Sequence, residues 1–92
     1  MAIVQVKVLY FAAAREMVGR REEMLELSKT INEDAHVTTD TLRQALCAKY
    51  PRAAQFLKDI TLAVNLEYVL EGDVRDLAHG DEVALIPPIS GG

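Results

Sequence analysis

Val4-Gln5-Val6-Lys7-Val8-Leu9-Tyr10 alternates: Val4, Val6, Val8 and Tyr10 fall on one side, Gln5, Lys7 and Leu9 on the other. A period of two marks a strand with one buried face. The next residues, Ala12 to Val18, lose that period and favour a short helix, which Gly19 can end as a left-handed cap. Glu23-Met24-Leu25-Glu26-Leu27 follows. It predicts a second strand, antiparallel to the first across a connection longer than a tight hairpin.

Residues 29–37 are mainly polar and read as a loop. Thr38 sits where an N-cap belongs, and Asp40 falls in the first turn, where a carboxylate complements the helix dipole. Leu42, Ala45, Leu46, Lys49 and Tyr50 recur at helical spacing, so Thr39 to Tyr50 is the main amphipathic helix. Pro51 stops it. A further helical turn fits 52–59, and Ile60 to Val64 is a third strand. Asn65-Leu66-Glu67 turns the chain into Tyr68-Val69-Leu70, and Gly72-Asp73 turns it again. Glu82 to Ile86 gives a last strand after Gly80-Asp81. Two strands, one long helix and further short strands make an α+β order with the helix on one face of a mixed sheet. That is the ββαββ arrangement of a ubiquitin-like β-grasp.

The whole chain of 92 residues suffices for one core, so the expected division is a domain over 1–86 and an extended tail over 87–92. Half of the residues are apolar, which fits a globular domain. A net charge of −4 argues against a general nucleic-acid binder. No apolar run reaches the roughly 20 residues that span a bilayer, and no secretory signal opens the chain. The single Cys47 excludes an internal disulfide and suits the cytoplasm. Between Glu67 and Glu82, six acidic residues face Arg75 alone. That stretch is either a solvated acidic face or a surface that steers the chain toward a basic partner.

The tail carries the chemistry. Pro87 and Pro88 cannot donate ladder hydrogen bonds and fix φ near −65°, so the chain leaves the last strand extended. Ile89 and Ser90 continue outward, and Gly91-Gly92 present the narrowest cross-section a polypeptide has. Such an end fits a narrow channel and delivers its carboxylate to a distant site. Condensation with ATP would make that carboxylate an acyl donor, and bulk beside the carbonyl would hinder the attack.

Several stretches resemble the small-subunit family of molybdopterin synthase. They are Val8 to Glu16 with Gly19, Thr41-Leu42-Arg43, Ala63 to Val69, and Gly80 to Ala84 running into Pro87-Pro88-Ile89-Ser90-Gly91-Gly92. The resemblance implies a cytosolic sulfur carrier whose Gly92 is adenylated by a ubiquitin-activator-like enzyme and converted to a thiocarboxylate. ATP is consumed by that partner, and this chain binds no cofactor or metal itself. Pro87, Pro88, Ser90 and Gly91 would insert the tail into the large synthase subunit, in a heterotetramer. There the sulfur would build the dithiolene of molybdopterin from cyclic pyranopterin monophosphate. Phe11, Tyr68 and Ile86, helped by Arg15, would form the partner interface; core positions for Phe11 and Ile86 are the plainer alternative. The same Gly-Gly chemistry would serve a carrier for thiamine thiazole or tRNA thiolation, or a modifier joined to lysines.

No catalytic constellation accompanies the tail. Cys47 has no histidine near it in sequence, and His36 and His79 give no zinc spacing. Gly72 and Gly80 are separate turn glycines rather than a phosphate loop. The carrier would supply a reactive terminus, its partners the rest.

Overall fold

A computed structural model describes residues 3–28, 37–70 and 72–87. The alternation at the start of the chain becomes β1 (Ile3–Tyr10), with Val4, Val6, Val8 and Tyr10 buried. At Phe11 the chain turns out of the strand into α1 (Ala12–Val18), which Gly19 ends at φ +81. Its N–H donates to the Arg15 carbonyl over 2.8 Å, which satisfies one carbonyl of the last turn. The chain returns as β2 (Glu22–Ser28), antiparallel to β1 with Val6 opposite Leu25.

Thr38 caps α2 (Thr39–Lys49) as its position predicts. Its hydroxyl accepts the Thr41 N–H, while Thr41 Oγ1 accepts the Thr38 N–H over 3.1 Å, a reciprocal capping box. Val37, expected in a polar loop, is instead buried; residues 29–36 of that loop lie outside the described residues. The carbonyl of Val37 accepts from the Leu77 N–H over 2.7 Å, so the segment before the helix is tied to a buried leucine. Pro51 ends α2 and opens a 3-10 turn (Pro51–Ala53) that leads into the short α3 (Ala54–Leu57). The Arg43 guanidinium donates to the Leu57 and Lys58 carbonyls where α3 ends.

β3 (Thr61–Val64) and β4 (Glu67–Val69) form a hairpin. The turn is shorter than expected: Asn65 and Leu66 alone make it, both at positive φ, and Glu67 belongs to the strand while Leu70 does not. Two left-handed residues match the twist of the flanking strands, as in type I′ turns. β5 (Glu82–Ile86) runs parallel to β1 and antiparallel to β3, giving the order β2-β1-β5-β3-β4. The sheet is mixed and carries α2 on one face, the ubiquitin-like β-grasp with five strands. Leu42 and Leu46 of α2 meet Val6, Val8, Leu62, Val83 and Leu85 of the sheet in one core. Each such burial contributes about 1.5–3 kcal/mol relative to exposure.

Glu23 shares the inner face of β2 with Leu25 and Leu27, and its carboxylate is only 6% exposed. A buried carboxylate must be partnered. Here the Tyr10 hydroxyl donates to it over 2.6 Å, the Tyr50 hydroxyl donates to the same oxygen, and the Lys49 ammonium pairs with the other. The two tyrosine rings meet edge to face, 6.4 Å between centroids. Burial raises the carboxyl's affinity for a proton, but the hydrogen bonds from Lys49, Tyr10 and Tyr50 outweigh it and hold Glu23 below its ordinary range. Burial first, and the carboxylate second, push both phenols above theirs, Tyr10 the further.

Candidate functional site: an open groove along the last strand

The helix-free face of the sheet carries a cross-strand row. Leu9 stands opposite Ala84, Ala84 opposite Ala63, and Ala63 opposite Tyr68, one residue from each of β1, β5, β3 and β4. Two alanines at the middle and larger side chains at the ends make a trough. It measures about 220 Å³. Phe11 and Ile86 close it at one end, Leu66 and Glu82 at the other.

Three of the four expected interface residues therefore meet in one place. Phe11 is 48% exposed and Tyr68 65%, while Ile86 is half-buried. The alternative of a core position fails for Phe11, which turns outward where β1 gives way to α1. Arg15 is exposed on α1 and does not line the groove. Pro87 follows Ile86 directly and is half-buried. Pro88, Ser90, Gly91 and Gly92 lie outside the described residues.

Sequence reading missed Leu9, Ala63, Ala84, Leu66 and Glu82 as groove residues. A signal was present in Ala63 and Ala84, small residues in strands that otherwise favour Val, Leu and Ile. Their meeting in one row depends on the pairing of β5 with both β1 and β3, which a single sequence does not reveal.

The turns beside the groove are tightly held. The Asn65 amide donates to Asp81 Oδ1 and its oxygen accepts the Glu82 N–H, each over 3.0 Å. Asp81 Oδ2 accepts the Ala78 N–H over 2.8 Å. His79 docks on β1, its Nδ1 accepting the Gln5 N–H over 3.2 Å. Two acids of the stretch from Glu67 to Glu82 thus have structural partners, since Glu67 also pairs with Arg75 over 3.2 Å.

A larger hollow of about 450 Å³ opens near the start of α2. Its rim mixes Asp40, Asp59 and Asp73 with Arg43 and Lys58, and Arg43 is committed to the end of α3. Charges of both signs around an open hollow select no ligand. Cys47 is half-buried against the core, and its thiol donates to the Ala54 carbonyl. Among the described residues no three His, Cys, Asp or Glu side chains gather as metal ligands, and no helix is long and apolar enough to cross a membrane.

The ThiS family profile matches residues 8–92. A molybdopterin synthase sulfur carrier subunit from Chlamydomonas reinhardtii is 46% identical over 88 residues, covering 96% of this chain and 99% of the relative. The human protein of that name is 40% identical over 89 residues, covering 96% and 94%. Among solved structures, small archaeal modifier protein 1 from Methanosarcina acetivorans matches with a TM-score of 0.72 at 28% identity, covering all of both chains. The open groove and the strand that leads to Pro87 thus sit in a chain that belongs to the ThiS family, among the molybdopterin synthase sulfur carrier subunits.

Proposed function

We propose that this chain is the sulfur carrier subunit of a molybdopterin synthase and works in the cytoplasm. The carrying observation is that Phe11, Tyr68 and Ile86 share one groove, which ends where the chain leaves β5 at Pro87. A partner seated on that groove receives residues 87–92 at a fixed point of departure. The near full-length likeness to named sulfur carriers supports the cargo.

In this reading the Gly92 carboxylate attacks the α-phosphate of ATP on an activating adenylyltransferase and releases pyrophosphate. The acyl-adenylate then takes sulfur from a donor, AMP leaves, and Gly92 carries a thiocarboxylate. The large subunit of the synthase accepts the tail through Pro87, Pro88, Ser90 and Gly91. The thiocarboxylate sulfur bonds to a carbon of cyclic pyranopterin monophosphate; water then cleaves the acyl C–S bond and returns the Gly92 carboxylate. Two carriers serve each dithiolene in a heterotetramer. The carrier binds no cofactor or metal; the catalytic groups belong to the large subunit. Arg15, outside the groove on α1, adds a cationic contact to the same partner.

Intact mass after incubation with ATP, a sulfur source and the activating enzyme tests the first half. A product heavier by the difference between sulfur and oxygen is expected at Gly92, and its absence sinks the carrier reading. Phe11→Ala and Tyr68→Ala should each weaken binding to the large subunit about tenfold, as truncation of an interface anchor does, with little change in Tm. Deleting Gly91 and Gly92 should abolish sulfur transfer and leave the melting curve in place. The likeness to a small archaeal modifier protein favours a second reading, attachment to lysines through Gly92. An isopeptide-linked product with the activating enzyme and ATP alone would establish it.

A further inference from the structure

Three non-glycine residues among those described hold positive φ: Ala12 at +48, Asn65 at +49 and Leu66 at +72. All three flank the groove, Ala12 beside Phe11 at one end and the Asn65-Leu66 turn at the other. Asparagine tolerates the left-handed region; a leucine there strains its backbone. Leu66 is also 90% exposed, the most exposed large apolar side chain among those described. Neither its conformation nor its exposure helps the fold, since glycine is the favoured residue at the second position of such a turn. Strain of this kind persists where the surroundings enforce it. Here Asn65 enforces it through its bonds to Asp81 and Glu82, which fix the turn against the start of β5.

We propose that Leu66 is a second anchor for the large-subunit partner, at the end of the groove remote from Pro87. The inference rests on the carrier reading above. Glu82 and Ile86 mark the two ends of β5, so the anchors at Leu66 and at Phe11 with Ile86 stand about 13 Å apart at the rise of a strand. A contact near Pro87 alone would leave the carrier free to pivot about the tail's point of departure. A distant second contact removes that rotation and aims residues 87–92. The partner face that fits is an apolar ridge lying along β5, with a basic group toward Glu82, which lines the Leu66 end of the groove.

Leu66→Gly separates this role from folding, because the two respond in opposite directions. Glycine relieves the left-handed strain, so Tm should hold or rise. Affinity for the large subunit should fall about tenfold, as loss of an anchor does. Leu66→Met keeps an apolar reach on the same strained backbone and should bind nearly as wild type. The inference is overturned if Leu66→Gly binds as tightly as wild type while Phe11→Ala binds weakly. It is also overturned if Leu66→Gly lowers Tm, because the leucine would then serve the fold. Full affinity in both Leu66→Gly and Phe11→Ala removes the groove reading itself and this inference with it.

Discussion

Glu23 shows how one carboxylate can join three elements. It stands on β2, takes hydrogen bonds from Tyr10 at the end of β1 and Tyr50 at the cap of α2, and pairs with Lys49. Glu23→Gln removes the charge that all three partners address, and should cost about 2 kcal/mol, the scale of a hydrogen bond to a charged group. Its folded-state carboxyl lies below the ordinary range. The stabilisation is therefore complete above the unfolded-state value and fades as pH falls through the folded-state value. Urea melts from pH 7 down to pH 3 should show a shallower acid decline in Glu23→Gln than in wild type. At the alkaline end the sign reverses. Tyr10 and Tyr50 have raised values, so their contribution is full below the ordinary phenol range and is lost as pH climbs above it. None of this was legible in the sequence, where Glu23 simply opens the second strand like any surface residue. The partners lie 13, 26 and 27 positions away, and only the packing of α2 on β1 and β2 brings them in.

At the scale of elements, local rules carried most of the fold. The period of β1, the Thr38 cap, the Pro51 stop and the Gly19 cap are short-range signals, and each element appears where its signal falls. Thr38→Ala should cost about 1 kcal/mol by removing one half of the capping box, read as a lower urea midpoint with unchanged slope. The β3–β4 turn was misread by one residue because Leu66 stands where glycine would announce a two-residue hairpin. Val37 was missed for a different reason. Scattered apolar residues in a mainly polar stretch set no period, and the burial of Val37 goes with the backbone bond from Leu77. The expected interface residues Phe11, Tyr68 and Ile86 were marked by family resemblance, whereas the trough between them came from strand order.

On the scale of the whole molecule, the sheet has two unlike faces. One is filled by α2; the other keeps a trough because Ala63 and Ala84 withhold side-chain volume at its centre. Ala84→Leu fills that trough without touching the core. It should shift stability by no more than about 0.5 kcal/mol, the usual range for a surface change. Binding to the large subunit should nevertheless fall at least tenfold, about the penalty for a side chain built against a partner. Calorimetric titration beside a thermal melt would read both quantities from one preparation.

The parallel pairing of β1 with β5 has a consequence for synthesis. Tyr10 finds its neighbour Leu85 only after everything between them has been made, and β3 reaches β1 only through β5. On the ribosome, a chain lacking Glu82–Ile86 has two half-sheets with no strand to join them. Most of the contacts that close the sheet thus wait until the segment bearing the tail follows. A prematurely ended chain has neither the trough nor the fold to compete for a partner, and its open strands leave it to proteases.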